Sequence, residues 1–396
     1  MTVVVRIIVY FCSTQKYFFM KSHPLLLIWL CCLLASCGHR AVSTVTANDV
    51  GDTATLLYAK GFRIVNHTDY KCVEVLDPWH QGVVLSAYYL VRDSNVVTPD
   101  ATHTLRVPIT RMAISSCTHV GFMETLNALH NVSGMCMPHI VYNDSIRQAT
   151  AGGKIADLGD AFNVNMERLL TSHPQAFMLS SYSQQDENTR RLMMAGIPLI
   201  FNNEWTETSL LGRAEWLKFV AAFLGKENEA DSIFACIERD YNEALQLTHG
   251  VSTCPSVMVG GNFKGTWYVS GGNSYMGKLL ADAGGDYYYK NDTNTGSLPL
   301  NFEMVLAQFG QSDVWVNAPA ATMVELLAMD KRHGLFHAVK AGRVYAFKAR
   351  YNARTSANDF WESGVTHPNL VLKDMIWALH PDLLQDYTPT YILKLQ

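Results

Sequence analysis

The chain has 396 residues, 48% of them hydrophobic and 17% charged, which is enough apolar material for a sizeable core and too much length for one compact domain. Its 31 lysines and arginines stand against 35 acidic residues, a formal net charge of −4. The first 36 residues hold three basic groups and no acid, so the body is more acidic still. That excludes the basic face of a nucleic-acid binder, and 11% aromatic residues exclude a disordered chain.

From Met20 the chain passes Lys21 into an apolar run over 25–33 and then reads Leu34-Ala35-Ser36-Cys37. A basic residue, a short greasy stretch and small residues before a cut are the layout of an export signal, too short to span a bilayer comfortably. Residues 1–36 are therefore expected to be a signal segment, with translation starting at Met20. Leu-Ala-Ser-Cys resembles a bacterial lipobox, so Cys37 is expected to carry a lipid and 37–52 to form a lipidated linker. The protein would be exported and anchored in the cell envelope, facing the periplasm or the cell surface. No later segment sustains about 18 uninterrupted apolar residues, which leaves the lipid as the expected membrane contact. Beyond Cys37, Cys72, Cys117, Cys136, Cys236 and Cys254 remain. An odd number without CxxC spacing argues against a disulfide framework and a thiolate zinc site, and buried free thiols are expected.

Residues 53–92 alternate in short β-branched runs and read as a small β-meander. Beyond it, strand-like pieces (112–115, 176–180, 198–201) alternate with helical ones (120–129, 166–170). This grammar predicts crossover units and a largely parallel sheet, giving an N-terminal α/β lobe over 53–222. Apolar residues at 230, 233, 234, 237, 241, 244 and 245 then recur at helical spacing, predicting one long spanning helix over 223–250. A second α/β pattern starts after Pro255 and fills a C-terminal lobe over 251–396. The expected architecture is two Rossmann-like α/β lobes joined by one long helix.

Ligands of open α/β sheets lie beyond the carboxyl ends of the strands, so loops of both lobes should line one cleft. Those loops offer Ser115, Ser116, Thr118 and His119 in the first lobe, and Trp267 and Tyr268 in the second. Asn352, Arg354 and Trp361 follow late in the chain. Aromatic rings suit macrocycles or hydrophobic chelate rims, small hydroxyls donate hydrogen bonds, and Arg354 suits an anionic group. His119 and Tyr142 are the candidates for axial iron ligands, although a lone histidine or tyrosine is more often simply hydrogen-bonded. With no close-spaced HxH or HExxH set, no metal site of the protein's own is expected. Gly272-Asn273-Ser274-Tyr275-Met276-Gly277-Lys278 imitates a phosphate-binding loop but ends in Leu279 where a serine or threonine should stand. No GxSxG elbow is present, and no catalytic residue is expected.

Several stretches carry a resemblance over roughly 55–385. They are Gly153-Lys154-Ile155-Ala156-Asp157-Leu158-Gly159, Asn165-Met166-Glu167-Arg168-Leu169-Leu170, His173-Pro174-Gln175-Ala176 and Ala195-Gly196-Ile197-Pro198. Glu204-Trp205-Thr206-Glu207, Leu211-Gly212-Arg213-Ala214-Glu215-Trp216 and Asn358-Asp359-Phe360-Trp361-Glu362-Ser363-Gly364 complete the set. Together the sequence resembles the iron-chelate and cobalamin class of ABC-importer substrate-binding proteins, especially lipoprotein members of the Bacteroidetes. The resemblance implies a rigid helix between lobes, a ligand held between them and delivery to a permease with its ATPase. It also implies one docking glutamate per lobe, which falls on Glu167 and Glu303.

The expected function is capture of a siderophore, haem or cobalamin by a monomeric, lipid-anchored carrier. It would be no enzyme and need no cofactor, the iron or cobalt belonging to the cargo. A surface scavenger serving an outer-membrane receptor is the alternative, and a metal-removing enzyme a third reading.

Overall fold

The computed structural model describes residues 51–181 and 187–396. The signal segment, Met20, Cys37 and most of the linker lie outside the described residues.

The chain enters through a five-stranded sheet built from Asp52–Thr53, Phe62–Asn66, Lys71–Leu76, Val84–Val91 and Thr104–Arg106. Its first three pairings are antiparallel and the last is parallel. In Phe62–Asn66, Phe62 and Ile64 point inward and Arg63 outward, the period-two alternation of a half-buried strand. A parallel sheet follows, in the order Leu199–Phe201, Ala176–Leu179, Met112–Ile114, Val132–Met135, Ala156–Asp157. Its three central strands are buried throughout, as a sheet covered on both faces requires.

The later part of the chain repeats the theme on a smaller scale. Asp286–Tyr287, Ser256–Val259 and Val314–Val316 pair in parallel. Beside them Gly261–Phe263, Thr266–Ser270 and Ser297–Leu300 form an antiparallel sheet. The mixed fold with parallel sheets agrees with the fold class expected from the sequence.

Two hydrophobic cores result, and two consecutive helices run between them. Leu210–Leu224 starts with Leu210 and Leu211 in the second core and continues from Trp216 to Leu224 in the first. It is buried on nearly every side, its apolar residues packing into the cores while Arg213 and Glu215 are paired within the protein. Gly225, in the left-handed conformation that glycine adopts without strain, turns the chain back. Glu227–Gln246 then places Ala230 in the first core, Ile233 against both, and Ile237, Tyr241 and Ala244 in the second. The spanning connection is therefore a helical pair, where the sequence pattern pointed to a single helix.

The five cysteines are all free. Cys72 and Cys136 are buried as expected, whereas Cys236 and Cys254 are exposed.

Candidate functional site

A cavity of about 1050 Å³ takes its walls from both cores' surroundings: residues 60–61 and parts of 76–82 beside the first sheet, the loop at 205–208, and positions within 260–276 other than Trp267, with Asn317 and Trp361. Five large rings open onto it. Trp79, Trp205, Phe263, Tyr268 and Trp361 keep between 37% and 62% of their surface exposed, an unusual allowance for such rings unless something covers them.

Backbone geometry brings the second lobe's loops into this space. The strand Ser256–Val259 ends at Gly260, with φ +84, where an added Cβ would lie 2.2 Å from the Tyr268 carbonyl oxygen. Val314–Val316 ends at Asn317, also left-handed with φ +56.

The opposite wall is tied down by the glutamates of the two tryptophan-containing motifs. Glu215 accepts backbone N–H bonds from Leu57, Tyr58 and Ala59 at 3.0, 2.8 and 2.8 Å. Glu207 Oε1 accepts from the amides of Lys60 and Gly61 at 2.9 and 2.8 Å and from Trp216 Nε1 at 2.9 Å. Burial pushes the Glu207 carboxyl up from its ordinary value, and those hydrogen bonds oppose the shift. Their effect is to fix Lys60 at the cleft. Nearby, Lys278 Nζ donates to Thr208 Oγ1 at 2.9 Å. Its pKa is lowered, first by partial burial and then by the like charge of Lys60. Neither lysine has an ion-pair partner among the described residues. Behind this wall Arg213 makes a buried pair with Glu204 at 2.7 Å and lies 4.6 Å over the Tyr275 ring, so first-lobe and second-lobe loops meet on one guanidinium.

The structure divides the residues singled out in the sequence. Tyr268 and Trp361 line the cleft. Trp267 does not: it is fully buried, with Trp315, Phe336 and His333 rings 5.3, 5.7 and 5.8 Å away. The reason is strand alternation, since in Thr266–Ser270 positions 267 and 269 face the core and 268 faces out. The expected juxtaposition of Trp267 with Ser115 and Arg354 is therefore not formed.

Ser115 and Ser116 line a separate first-lobe cavity of 420 Å³. There Ser115 Oγ accepts from Ser180 N–H at 3.3 Å, and Ser116 caps the helix Cys117–Thr125 by accepting from Thr118 N–H. Thr118 and His119 are buried within that helix. His119 Nδ1 has no hydrogen-bond partner, and burial holds the imidazole's pKa down near 3. A ring enclosed in this way is a core residue, with Nε2 3.5 Å from Ser180 Oγ and no surface on either cavity. Tyr142 offers its backbone amide to Glu362, and the Arg350 guanidinium stands 5.4 Å from its ring. Asn352 caps Arg354 N–H at 3.1 Å at the tip of the hairpin Tyr351–Asn352 and Ala357–Asn358, and neither side chain reaches the cleft. Among the described residues no group of three or more His, Cys, Asp or Glu could hold a metal.

Glu167 and Glu303 share one local context. Each lies in the first turn of a helix, Met166–Thr171 or Phe302–Phe309, capped by Asn165 or Asn301. Both are exposed, which the positive helix end favours. Glu303 stands 3.8 Å from Arg332.

Lys60, Trp79, Trp205 and Phe263 were not singled out in the sequence. The signal available for them was the pair of motif glutamates, which mark where residues 57–61 are pinned.

A family model described as periplasmic binding protein matches residues 117–351, more than half of the chain. The chain belongs to the periplasmic binding protein family. That agrees with the resemblance to substrate-binding proteins seen in the motifs, although the lipoproteins matched are archaeal rather than of the Bacteroidetes. The family is one of binding proteins rather than enzymes. An uncharacterized lipoprotein of Methanocaldococcus jannaschii is 26% identical over 383 residues, covering 90% of this chain and 89% of its own. Two solved structures share the fold. A periplasmic haem-binding protein from Pseudomonas aeruginosa has a TM-score of 0.53 at 14% identity, covering 73% of this chain and 98% of its own. The apo haem-binding protein RhuT from Roseiflexus sp. RS-1 has a TM-score of 0.52 at 18% identity, covering 69% and 99%. No helix among the described residues is long and apolar enough to cross a membrane.

Proposed function

We propose that this protein captures an iron chelate (a siderophore or haem) or a corrinoid between its lobes and hands it to the permease of an ABC importer. The observation that carries the reading is the convergence of five exposed aromatic rings on one cavity of about 1050 Å³, of a size and character to enclose a macrocycle or chelate rim. Membership in a binding-protein family, and the haem-binding relatives that share the fold, support it. Lys60 at the cavity wall favours a cargo with carboxylate or other anionic groups, since its ammonium can form charge-assisted hydrogen bonds to them. The protein needs no cofactor in this role; iron or cobalt arrives with the cargo and leaves with it.

Cys37 would tether the carrier by a lipid, as a monomer, and Glu167 and Glu303 would pair with basic groups of the permease. Titration of the detergent-solubilised protein against haemin, ferric siderophores and cyanocobalamin, with empty micelles as blank, tests the reading. Saturable one-to-one binding of at least one of them is expected. Failure to bind any of the three classes would overturn it.

A further inference from the structure

Residues Asp359 to Val365 cross between the cores, with Phe360 in the second and Val365 in the first. The first two of the four residues between them face different cavities. Trp361 lines the cleft. Glu362 is 1% exposed and lines a polar cavity of 610 Å³ together with Tyr142 and Asn143. Its Oε2 accepts from the Tyr142 amide at 2.7 Å and its Oε1 from the Asn143 amide at 2.8 Å.

The surroundings allow this segment little play. An added Cβ at Gly121 would come within 2.2 Å of the Glu362 carbonyl oxygen, so the helix Cys117–Thr125 rests on the segment's backbone. Thr125 Oγ1 also bonds Thr366 Oγ1 at 2.8 Å. Within the segment, the Glu362 amide donates to the Asp359 carbonyl at 3.0 Å, closing the turn that carries Trp361. Trp361 therefore cannot shift without dragging Glu362.

A buried carboxylate is costly, and this one has no cation within ion-pair distance among the described residues; the nearby Arg350 pairs with Asp359 at 2.9 Å. What the carboxylate supplies is two acceptor oxygens for two adjacent first-lobe amides. A glutamine offers only one acceptor, and its NH₂ would oppose the second amide.

We propose that Glu362 is a positioning residue for ligand capture: by gripping the Tyr142 and Asn143 amides of the first lobe, it fixes where Trp361 stands in the cleft. This rests on the cleft being the ligand site.

A double-mutant cycle on the detergent-solubilised full chain tests it, using whichever of haemin, cyanocobalamin and ferric citrate binds most tightly as the probe. Measured above pH 7, where the Glu362 carboxyl is ionised, Trp361→Ala and Glu362→Gln should each weaken binding about tenfold, and together also about tenfold rather than a hundredfold, because the grip acts only through the ring. Thr125→Val loosens the same seam without touching the turn, and should lower the melting temperature while leaving affinity unchanged. Should the Gln variant fail to fold, Glu362→Asp keeps the charge, draws the oxygens back and should give the same non-additive pattern. Additive losses, or full affinity in the Glu362 variant, would overturn the positioning role while leaving the cleft as the ligand site. Wild-type protein that binds none of the three probes would remove the ligand site and the role together.

Discussion

Trp267 and Tyr268 are chain neighbours with opposite fates, because adjacent residues of a strand face opposite sides. In the sequence both read as loop residues of the second lobe. What decided the matter was pairing of Thr266–Ser270 with strands on both sides, which the local sequence did not announce. The two substitutions should therefore separate cleanly. Trp267→Ala leaves a hole among Trp315, Phe302 and Phe336 and should cost about 3–5 kcal/mol of stability, seen as a lowered denaturation midpoint. Tyr268→Ala removes an exposed ring and should leave the unfolding free energy within about 0.5 kcal/mol while weakening binding of whichever of haemin, cyanocobalamin and ferric citrate the protein takes up. The reverse assignment of effects would mean that Trp267, not Tyr268, meets the ligand.

At the level of elements, helix propensity and packing make opposing forecasts for Gly121, inside the helix Cys117–Thr125. Propensity alone says that Gly→Ala stabilises a helix interior by about 1 kcal/mol. The structure places a carbonyl oxygen where the new methyl would go, backbone that no rotamer change can clear. Gly121→Ala should therefore destabilise, by about 1–3 kcal/mol, with the denaturant midpoint falling at unchanged slope. A stabilised variant would show that the segment at 359–366 does not rest on this helix. The motifs that carried the family resemblance were legible as strings but not as physics. Glu207 and Glu215 act as acceptors that pin residues 57–61, and Glu362 reaches two amides more than 200 positions away in sequence. Such contacts have no local signature, whereas asparagine caps at 165 and 301 and the helical spacing over 230–245 do.

For the whole molecule, the alternation of strands and helices exposed the α/β class in advance and pointed to a cleft. Most of the cleft's lining stayed hidden because the walls come from remote pieces of chain, the segments beside the first sheet among them. At this scale the proposed function includes hand-over. Glu167→Ala with Glu303→Ala should leave haemin affinity intact and impair ligand uptake by cells; lost affinity would place those carboxylates in binding instead. Stability against pH gives a further whole-molecule test, because two buried groups pull in opposite directions. Burial pushes the Glu362 carboxyl up to about 7 from an ordinary 4.5, so the folded state holds its proton more firmly than the unfolded one. Its contribution to stability is fully present below pH 4.5 and is lost as pH rises through 7. Burial lowers His119 to about 3 from 6.5, so its contribution is present above pH 6.5 and is lost as pH falls toward 3. In the wild-type protein the two offset each other between pH 7 and 4.5. Glu362→Gln removes the first and leaves the second, so the variant should lose stability more steeply on acidification. Relative to wild type, the difference in unfolding free energy should grow by about 3 kcal/mol from pH 7.5 to 4.5, read from denaturant curves at each pH. Parallel profiles would mean that Glu362 titrates as an ordinary solvated acid and that its burial between the lobes is not maintained in solution.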